Sequence, residues 1–439
     1  MRYPLSTTKT LLANALMRRK MRLEKKQFID DPTSQPSTQS PFPERCSFEN
    51  YPEYQNILHI RFAAQKFNIK NPFFCMLDGI PTATIQLDGK IFYNYASYNY
   101  LNLNGDPRVS DAAKKAIDHY GTSVSASRLV SGERAIQQSL EKALAEFHGV
   151  DRCLVFVSGH ATNVTTIGYL FNNNDLILHD ALIHDSVRQG IKLSGAARLS
   201  FPHNDWQALD KILQARRHEF QRVLIVIEGM YSMDGDFPNL TQFIDIKKRH
   251  SAFLMVDEAH SLGVMGKTGR GIAEHFDVNP NDVDIWMGTL SKTLAGCGGY
   301  IAGTTALVDH LKMAAPGFLY SVGISPPVAA AALAALTILL KEPERVAALH
   351  KNSQQFLSEA KKMGLDTGLS EGFNIIPILC GSSRKAVQLA NALYEKNIYV
   401  QPIIYPGVPE NQARLRFFIS SAHTSTQITD TVNMIAKLI

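Results

Sequence analysis

The run GTLSKTLAGCGGY, residues 288–300, sets one lysine among small residues and hydroxyls. It follows an apolar stretch ending in DIWM, so Lys292 falls in the loop after a predicted strand. A lysine there is ordinarily a solvated amine. Held in an apolar pocket, the same amine gives up its charge readily and becomes a nucleophile and a proton carrier. Other reactive groups occupy matching places. Ser158, Gly159 and His160 follow the run CLVFV, His184 follows LILHD, and GMYSMDGD (229–236) follows VLIVIE. Asp257 closes AFLMVD, His260 lies three residues on, and Thr289 and Ser291 flank the lysine. Ligands of an α/β sheet gather at the carboxyl ends of the strands. One pocket there would hold phosphate-binding amides and hydroxyls, an imidazole, a carboxylate and an amine. Singly, each has a plainer reading: Ser158 as a helix cap, Asp257 as half of a structural ion pair, the histidines as core residues, Lys292 as a surface group. The case rests on the set.

These positions presuppose alternating strands and helices. From about residue 107, helical patterns alternate with the short apolar runs CLVFV (153–157), LILHD (176–180), ARLSF (197–201), VLIVIE (223–228), AFLMVDE (252–258), IWMG (285–288) and YIAG (300–303). This rhythm predicts an α/β fold with a mostly parallel sheet covered by helices. VAAAALAALTILL (328–340) reads as a buried helix, because it is shorter than the ~18–20 apolar residues of a membrane span. FNIIPIL (373–379), IYVQPII (398–404) and LRFFIS (415–420) then read as strands of a smaller α+β domain. Upstream, HIRFAAQKFNI (59–69) predicts a short leading helix, and ATIQLDGKIFYNYA (83–96) a hairpin turning at Asp88-Gly89. DPTSQPSTQSPFP (31–43) has too few apolar groups to offset its ordering entropy. The expected organisation is an extension over 1–45, an N-terminal segment over 46–106, a large domain over 107–326 and a small domain over 327–439.

A chain of 439 residues, 45% hydrophobic and 19% charged, suits a globular protein of two or three domains. The net charge of +5 owes much to RRKMRLEKK (18–26), which argues against a nucleic-acid groove. Five cysteines, an odd number with no CxxC spacing, argue against a disulfide framework and a zinc site. They point to a reducing compartment, hence the cytoplasm. The basic N-terminus loosely resembles a transit peptide but lacks the apolar stretch of a secretory signal. Its plainer reading is a flexible extension or docking tail.

Taken together, SYNYLNL (97–103), SASRLVSG (125–132), SGHATN (158–163), DALIHDS (180–186), EGMYSMDGD (228–236), VDEAHSLGVMGKTGRG (256–271), GTLSKTLAGCGGY (288–300) and ARLRFFISSAHT (413–424) resemble the α-oxoamine synthases. These are fold-type I enzymes that use pyridoxal 5′-phosphate. The resemblance runs from about residue 70 to the C-terminus, and VDEAHSLG with TLSKTLAG is its most specific part. It implies a Schiff base between Lys292 and the cofactor, with Asp257 keeping the pyridine nitrogen protonated. It implies His184 stacked on the ring, with His260 and Ser232 near the ring hydroxyl. Phosphate donors would be Ser158, the amides of Gly159 and His160 at a helix start, Thr289 and Ser291. Ser321 would reach across a homodimer into the neighbour's phosphate site. Arg416 would take the substrate carboxylate, with Arg414 as the alternative, and Tyr98 and Asn99 would lie near the amino acid. The implied reaction condenses a small amino acid (Gly, Ala or Ser) with an acyl thioester of coenzyme A or an acyl carrier protein. Carbon dioxide is lost and a 2-amino ketone forms.

Some positions depart from the family pattern. Tyr98 stands at the usual first Asn of Asn-Asp-Tyr-Leu-Gly-Leu, Asn102 replaces its glycine, Gln137 stands where a histidine is common, and His160 replaces a frequent aromatic. Serine palmitoyltransferases resemble the SYNYL form more closely, which leans the reading towards a longer acyl chain or a carrier protein. The rivals are another fold-type I activity such as an aminotransferase, a non-catalytic partner subunit, which would be expected to lack the lysine, and a tethered scaffold with the tail as its working part. A chain starting at residue 46 should keep full activity in a condensation assay; loss of activity would make the tail a working part.

Overall fold

The computed structural model describes residues 47–66 and 69–439; the extension expected over 1–45 lies outside them. The chain divides into two units, Met1–Lys70 and Asn71–Ile439. In the first, a turn of 3-10 helix, Phe48–Asn50, precedes the helix Pro52–Lys66. This helix begins seven residues before the expected start at 59, because the fixed φ of a proline suits the first helical position.

The second unit opens with the hairpin β1 (Thr84–Leu87) and β2 (Lys90–Asn94). Asp88 and Gly89 take φ of 48° and 74°, the positive pair that a tight two-residue turn requires. All seven apolar runs then form strands: β3 (Arg152–Phe156), β4 (Leu176–Asp180), β5 (Ala197–Phe201), β6 (Val223–Glu228), β7 (Phe253–Asp257), β8 (Ile285–Thr289) and β9 (Gly299–Gly303). They make one sheet in the order β3-β9-β8-β7-β6-β4-β5. Six strands share one direction; β9 is antiparallel to both neighbours. Helices cover both faces. Val223, Ile225 and Ile227 of β6 pack into one core, Leu224 and Val226 into another. Each such side chain contributes about 1.5–3 kcal/mol when withdrawn from water.

The Ala/Leu run lies in the helix Pro326–Lys341. Ala329, Ala332, Ala335, Leu336 and Leu339 are fully buried in the first core, which accounts for its composition. Among the described residues no single helix is long and apolar enough to cross a membrane. Beyond it come β10 (Ile375–Leu379), β11 (Ile398–Tyr399), β12 (Gln401–Ile403) and β13 (Arg414–Phe418). β10, β13 and β12 form an antiparallel sheet in that order. β11 instead pairs in parallel with β2. The run IYVQPII is therefore two strands in two sheets. Pro402, which cannot donate to a ladder, sits on an edge strand.

Two sequence departures become intelligible. Asn102 adopts φ 55°, a conformation that Asn tolerates next best after Gly. Gln137 is fully buried, donates to Ile324 O and accepts from the Arg134 amide. His423 is a core residue. It stacks on Tyr95 with ring centroids 4.4 Å apart, and its two nitrogens bond the Ser420 amide and Asn94 O.

Between β6 and the next helix, Gly235 takes φ 73° against the backbone of β10. A Cβ there would lie 2.2 Å from Ile375 O. Gly235→Ala should therefore cost at least about 1–3 kcal/mol, read as a lower urea midpoint. An unchanged midpoint would show that the loop relaxes freely.

Candidate active site

The strand ends of β6, β7 and β8, two helix starts and β13 surround a cleft of about 380 Å³. Twelve of the residues singled out in the sequence line it. Ser158, Gly159 and His160 sit at the start of the helix Gly159–Leu170, and His184 caps the helix Asp185–Ser194. Ser232 comes from the loop after β6, Asp257 from the end of β7 and His260 from the turn beyond it. Thr289 ends β8 and is followed by Ser291 and Lys292; Tyr98 and Arg416 complete the wall.

Asp257 is 4% exposed and belongs to none of the ion pairs among the described residues. A buried carboxylate is costly unless hydrogen bonds replace its water. Here Asn163 Nδ2 donates to one oxygen at 2.9 Å and the Ala259 amide to the other at 3.0 Å. Lys292 is half-buried at the floor. Burial pulls its ammonium down to about 8, and Arg416 adds to this; Asp257 and Glu228 work the other way. The ammonium stands 5.5 Å from the centroid of the Tyr98 ring. His260 is buried, and the loss of solvent, then the nearby Lys292 and Arg416 charges, hold its pKa well below the usual imidazole value. Its Nδ1 pairs with the Tyr100 hydroxyl at 2.9 Å.

Two arginines two residues apart share one face of β13. Arg414 is spent within the protein: its guanidinium pairs with Asp234 and donates to Met233 O at 3.2 Å. Arg416 donates to Ser232 O at 2.9 Å and lies 4.6 Å over the Phe418 ring. It has no acidic partner among the described residues. Of the two, Arg416 is the guanidinium open to a ligand.

Two singled-out residues lie elsewhere. Asn99 turns its amide to backbone, donating to Pro81 O and Asn104 O and accepting from the Asn104 amide. It shapes the loop that carries Tyr98. Ser321 lies outside its own chain's cleft, in a pocket with Arg128 and Phe156. The cleft also contains residues the sequence reading passed over: Asn163, Ser186, Glu228, Met233, Ala259 and Met287. Glu228 had a visible signal, an acid ending an apolar strand just as Asp257 does. The two are register partners on β6 and β7. Burial and then Asp257 push the Glu228 carboxyl well above the usual range, so it keeps its proton. Its Oε1 accepts the His184 amide at 2.7 Å.

The loop from Tyr231 to Asp236 is pinned from a further side. His203 bridges Asp180 and Asp236 at 2.8 and 2.7 Å. Burial opposes its charge, but the two carboxylates outweigh burial and raise its pKa to about 10.

These residues fit pyridoxal 5′-phosphate. A bare buried carboxylate suits a protonated ring nitrogen, and a lysine shifted towards neutrality suits an aldehyde. The helix start has first-turn amides without carbonyl partners, and its Gly159 leaves room that a side chain would close: a Cβ there would lie 2.9 Å from Thr289 Oγ1. Fold and site together define a fold-type I pyridoxal-phosphate-dependent transferase.

Comparison with known proteins narrows this class. The family model for aminotransferase class I and II matches residues 90–435. The 8-amino-7-oxononanoate synthase of Fervidobacterium nodosum is 40% identical over 359 residues, covering 81% of this chain and 90% of that one. The structure of Sphingomonas wittichii serine palmitoyltransferase superposes with a TM-score of 0.84 at 28% identity, covering 88% of this chain and 97% of that one. A structure of SPT with PLP also has a TM-score of 0.84, at 26% identity and the same coverage. The chain belongs to the aminotransferase class I and II family and, within it, to the α-oxoamine synthases. Its reaction class is the pyridoxal-phosphate-dependent, decarboxylating condensation of an amino acid with an acyl thioester.

The His203 bridge has a pH signature. A raised folded-state pKa stabilises fully below the unfolded value near 6.5 and is lost as pH rises through about 10. The stability difference between the wild type and His203→Asn, from urea melts, should shrink from pH 7 to pH 10. A constant difference would mean the bridge is not ionic.

Proposed function

We propose that this cleft joins glycine, alanine or serine to the acyl group of coenzyme A or an acyl carrier protein. The observation that carries the reading is Arg416, a guanidinium without an acidic partner among the described residues, lining the same cleft as Lys292 and Asp257. It supplies the fork that a substrate carboxylate fits. The bound cofactor supplies an electron sink for the α-carbon. Asp257, held by Asn163 and Ala259, would meet the ring nitrogen. His184 would cover one ring face and orient the substrate carboxylate; His260 and Ser232 would hold the ring hydroxyl. Ser158, Gly159, His160, Thr289 and Ser291 hold the phosphate. Lys292, with its pKa near 8, takes the α-proton and returns a proton later. The α-carbon then bonds to the acyl carbon, the thiol leaves carrying a proton, and loss of carbon dioxide gives the aminoketone.

The working unit is proposed to be a homodimer. Leu129, Val130, Tyr320 and Val322 are all at least half exposed, and the Ser127–Val322 bridge brings their two segments together around Ser321. Apolar exposure on this scale marks an interface, and a second copy there would let Ser321 reach its partner's phosphate site. The setting is proposed to be the cytoplasm, in keeping with free thiols at Cys75, Cys153, Cys297 and Cys380.

The test is visible absorbance of the protein loaded with pyridoxal phosphate while glycine, alanine and serine are titrated. The wild type should be yellow, and one amino acid should shift the band; Lys292→Ala should lack the starting band. Arg416→Lys should raise KM for that amino acid roughly 10–100-fold, the value of a charged hydrogen-bonded pair. Arg414→Lys should lower the melting temperature and leave KM within a few-fold. A protein that stays colourless, or exchanges amino groups with keto acids and never consumes thioester, would overturn the reading.

A further inference from the structure

Two of the most deeply buried polar side chains at the site touch neither cofactor nor substrate in the proposed mechanism. Asn163 and Ser186 are each 1% exposed. They come from different helices, Gly159–Leu170 and Asp185–Ser194. The helices meet closely because residue 190 is glycine; a Cβ there would lie 2.8 Å from Asn163 O.

The hydrogen bonds between them run in one direction only. Asn163 Nδ2 carries two hydrogens and donates one to Asp257 Oδ2 and one to Ser186 Oγ, both at 2.9 Å. The amide cannot be turned over, since its oxygen would then face a carboxylate. Its oxygen has no partner in the structure, so the side chain is committed to giving both hydrogens. Ser186 Oγ also lies 2.7 Å from His184 Nδ1, and its own hydrogen is free to point there. The Ser186 backbone amide donates to the same nitrogen at 3.2 Å. His184 Nδ1 thus faces two donors and is an acceptor. The ring proton is on Nε2, the nitrogen left free towards the cleft.

We infer that Asn163 and Ser186 are positioning residues, a two-link relay that joins the Asp257 carboxylate to His184, orienting the first and setting the tautomer of the second. One end fixes the Asp257 carboxyl in place through Oδ2, while the Ala259 amide holds Oδ1. The other end keeps His184 a neutral imidazole with Nε2–H presented, because an imidazolium would need a hydrogen on Nδ1 where two donors already point. The charged and titratable groups around His184 are Asp257, Lys292, His160, Asp185 and Glu228. Burial lowers its pKa in the same sense. The relay rests on the proposed reading that Asp257 meets the ring nitrogen and His184 the ring face.

Two readouts separate this from a merely structural role. Histidine ¹⁵N spectra of the full-length chain before cofactor is added, assigned with His184→Gln, should show His184 with Nδ1 unprotonated and Nε2 protonated. Ser186→Ala should weaken the Nδ1 hydrogen bond, seen as a shift towards a free ring nitrogen, and Ser186→Thr should restore it. In the loaded enzyme, Asn163→Ala should weaken pyridoxal phosphate binding about tenfold and move the pH midpoint of the visible band by half a unit or more. Ser186→Thr should leave both within error. A wild-type His184 protonated on Nδ1 would overturn the inference. So would an Asn163→Ala enzyme, folded by its melting curve, with wild-type affinity and midpoint. If the wild type never develops a band, the cofactor reading fails while the nitrogen spectra still decide the relay. If Asn163→Ala does not fold, the Ser186→Ala and Ser186→Thr pair decides it.

Discussion

The structure is organised around an anion in a place that disfavours one. Parallel strands β6 and β7 deliver Glu228 and Asp257 side by side to the same edge of the sheet, beneath two hydrophobic cores. Burial, and then the neighbouring Asp257, push the Glu228 carboxyl well above the usual range. The surroundings decide between them. Asp257 has an amide at each oxygen; Glu228 has only the His184 amide. The lysine, the imidazoles and the open arginine are arranged around this unequally supported pair.

The second constraint is the loop between β6 and its following helix. It supplies Ser232 and Met233 to the cleft, yet it has no regular structure. Its shape is imposed from outside: Arg414 on Asp234 and Met233 O, Arg416 on Ser232 O, His203 on Asp236. Gly235 lets the loop lie against β10. Arg416 therefore has two duties, holding this loop with one nitrogen while presenting the rest of its fork to the cleft.

Much of this was legible in the residue order. Six of the seven strands of the large sheet carry apolar residues on both faces, as a two-faced core requires; β5, at the edge, alternates, with Arg198 and Ser200 outward. The cleft residues follow, since strand ends of a parallel sheet must gather at one edge. Three things were less legible. Asn99 and Tyr98 are adjacent in a loop folded by its own turns, and nothing local says which one meets the cleft. Arg414 and Arg416 share a face, and only Asp234, far away in sequence, distinguishes them. Asn163 and Ser186 carry ordinary helix-start residue types whose role depends on how closely two helices meet. The split of IYVQPII between two sheets was hidden for the same reason: local propensity specifies extended chain and leaves the partner to tertiary context.

That split has a consequence for how the protein is made. β2 emerges early from the ribosome and pairs with β1 on one side only. Its other edge waits for β11, near the end of the chain. Through most of synthesis the nascent chain carries an unpaired strand edge, a template for pairing with other chains. Tyr98 and Arg416, which meet in one cleft beside Phe418, likewise come from opposite ends of the folded body. No nascent fragment can hold substrate, and the last strands to be translated both complete the site and close the edge.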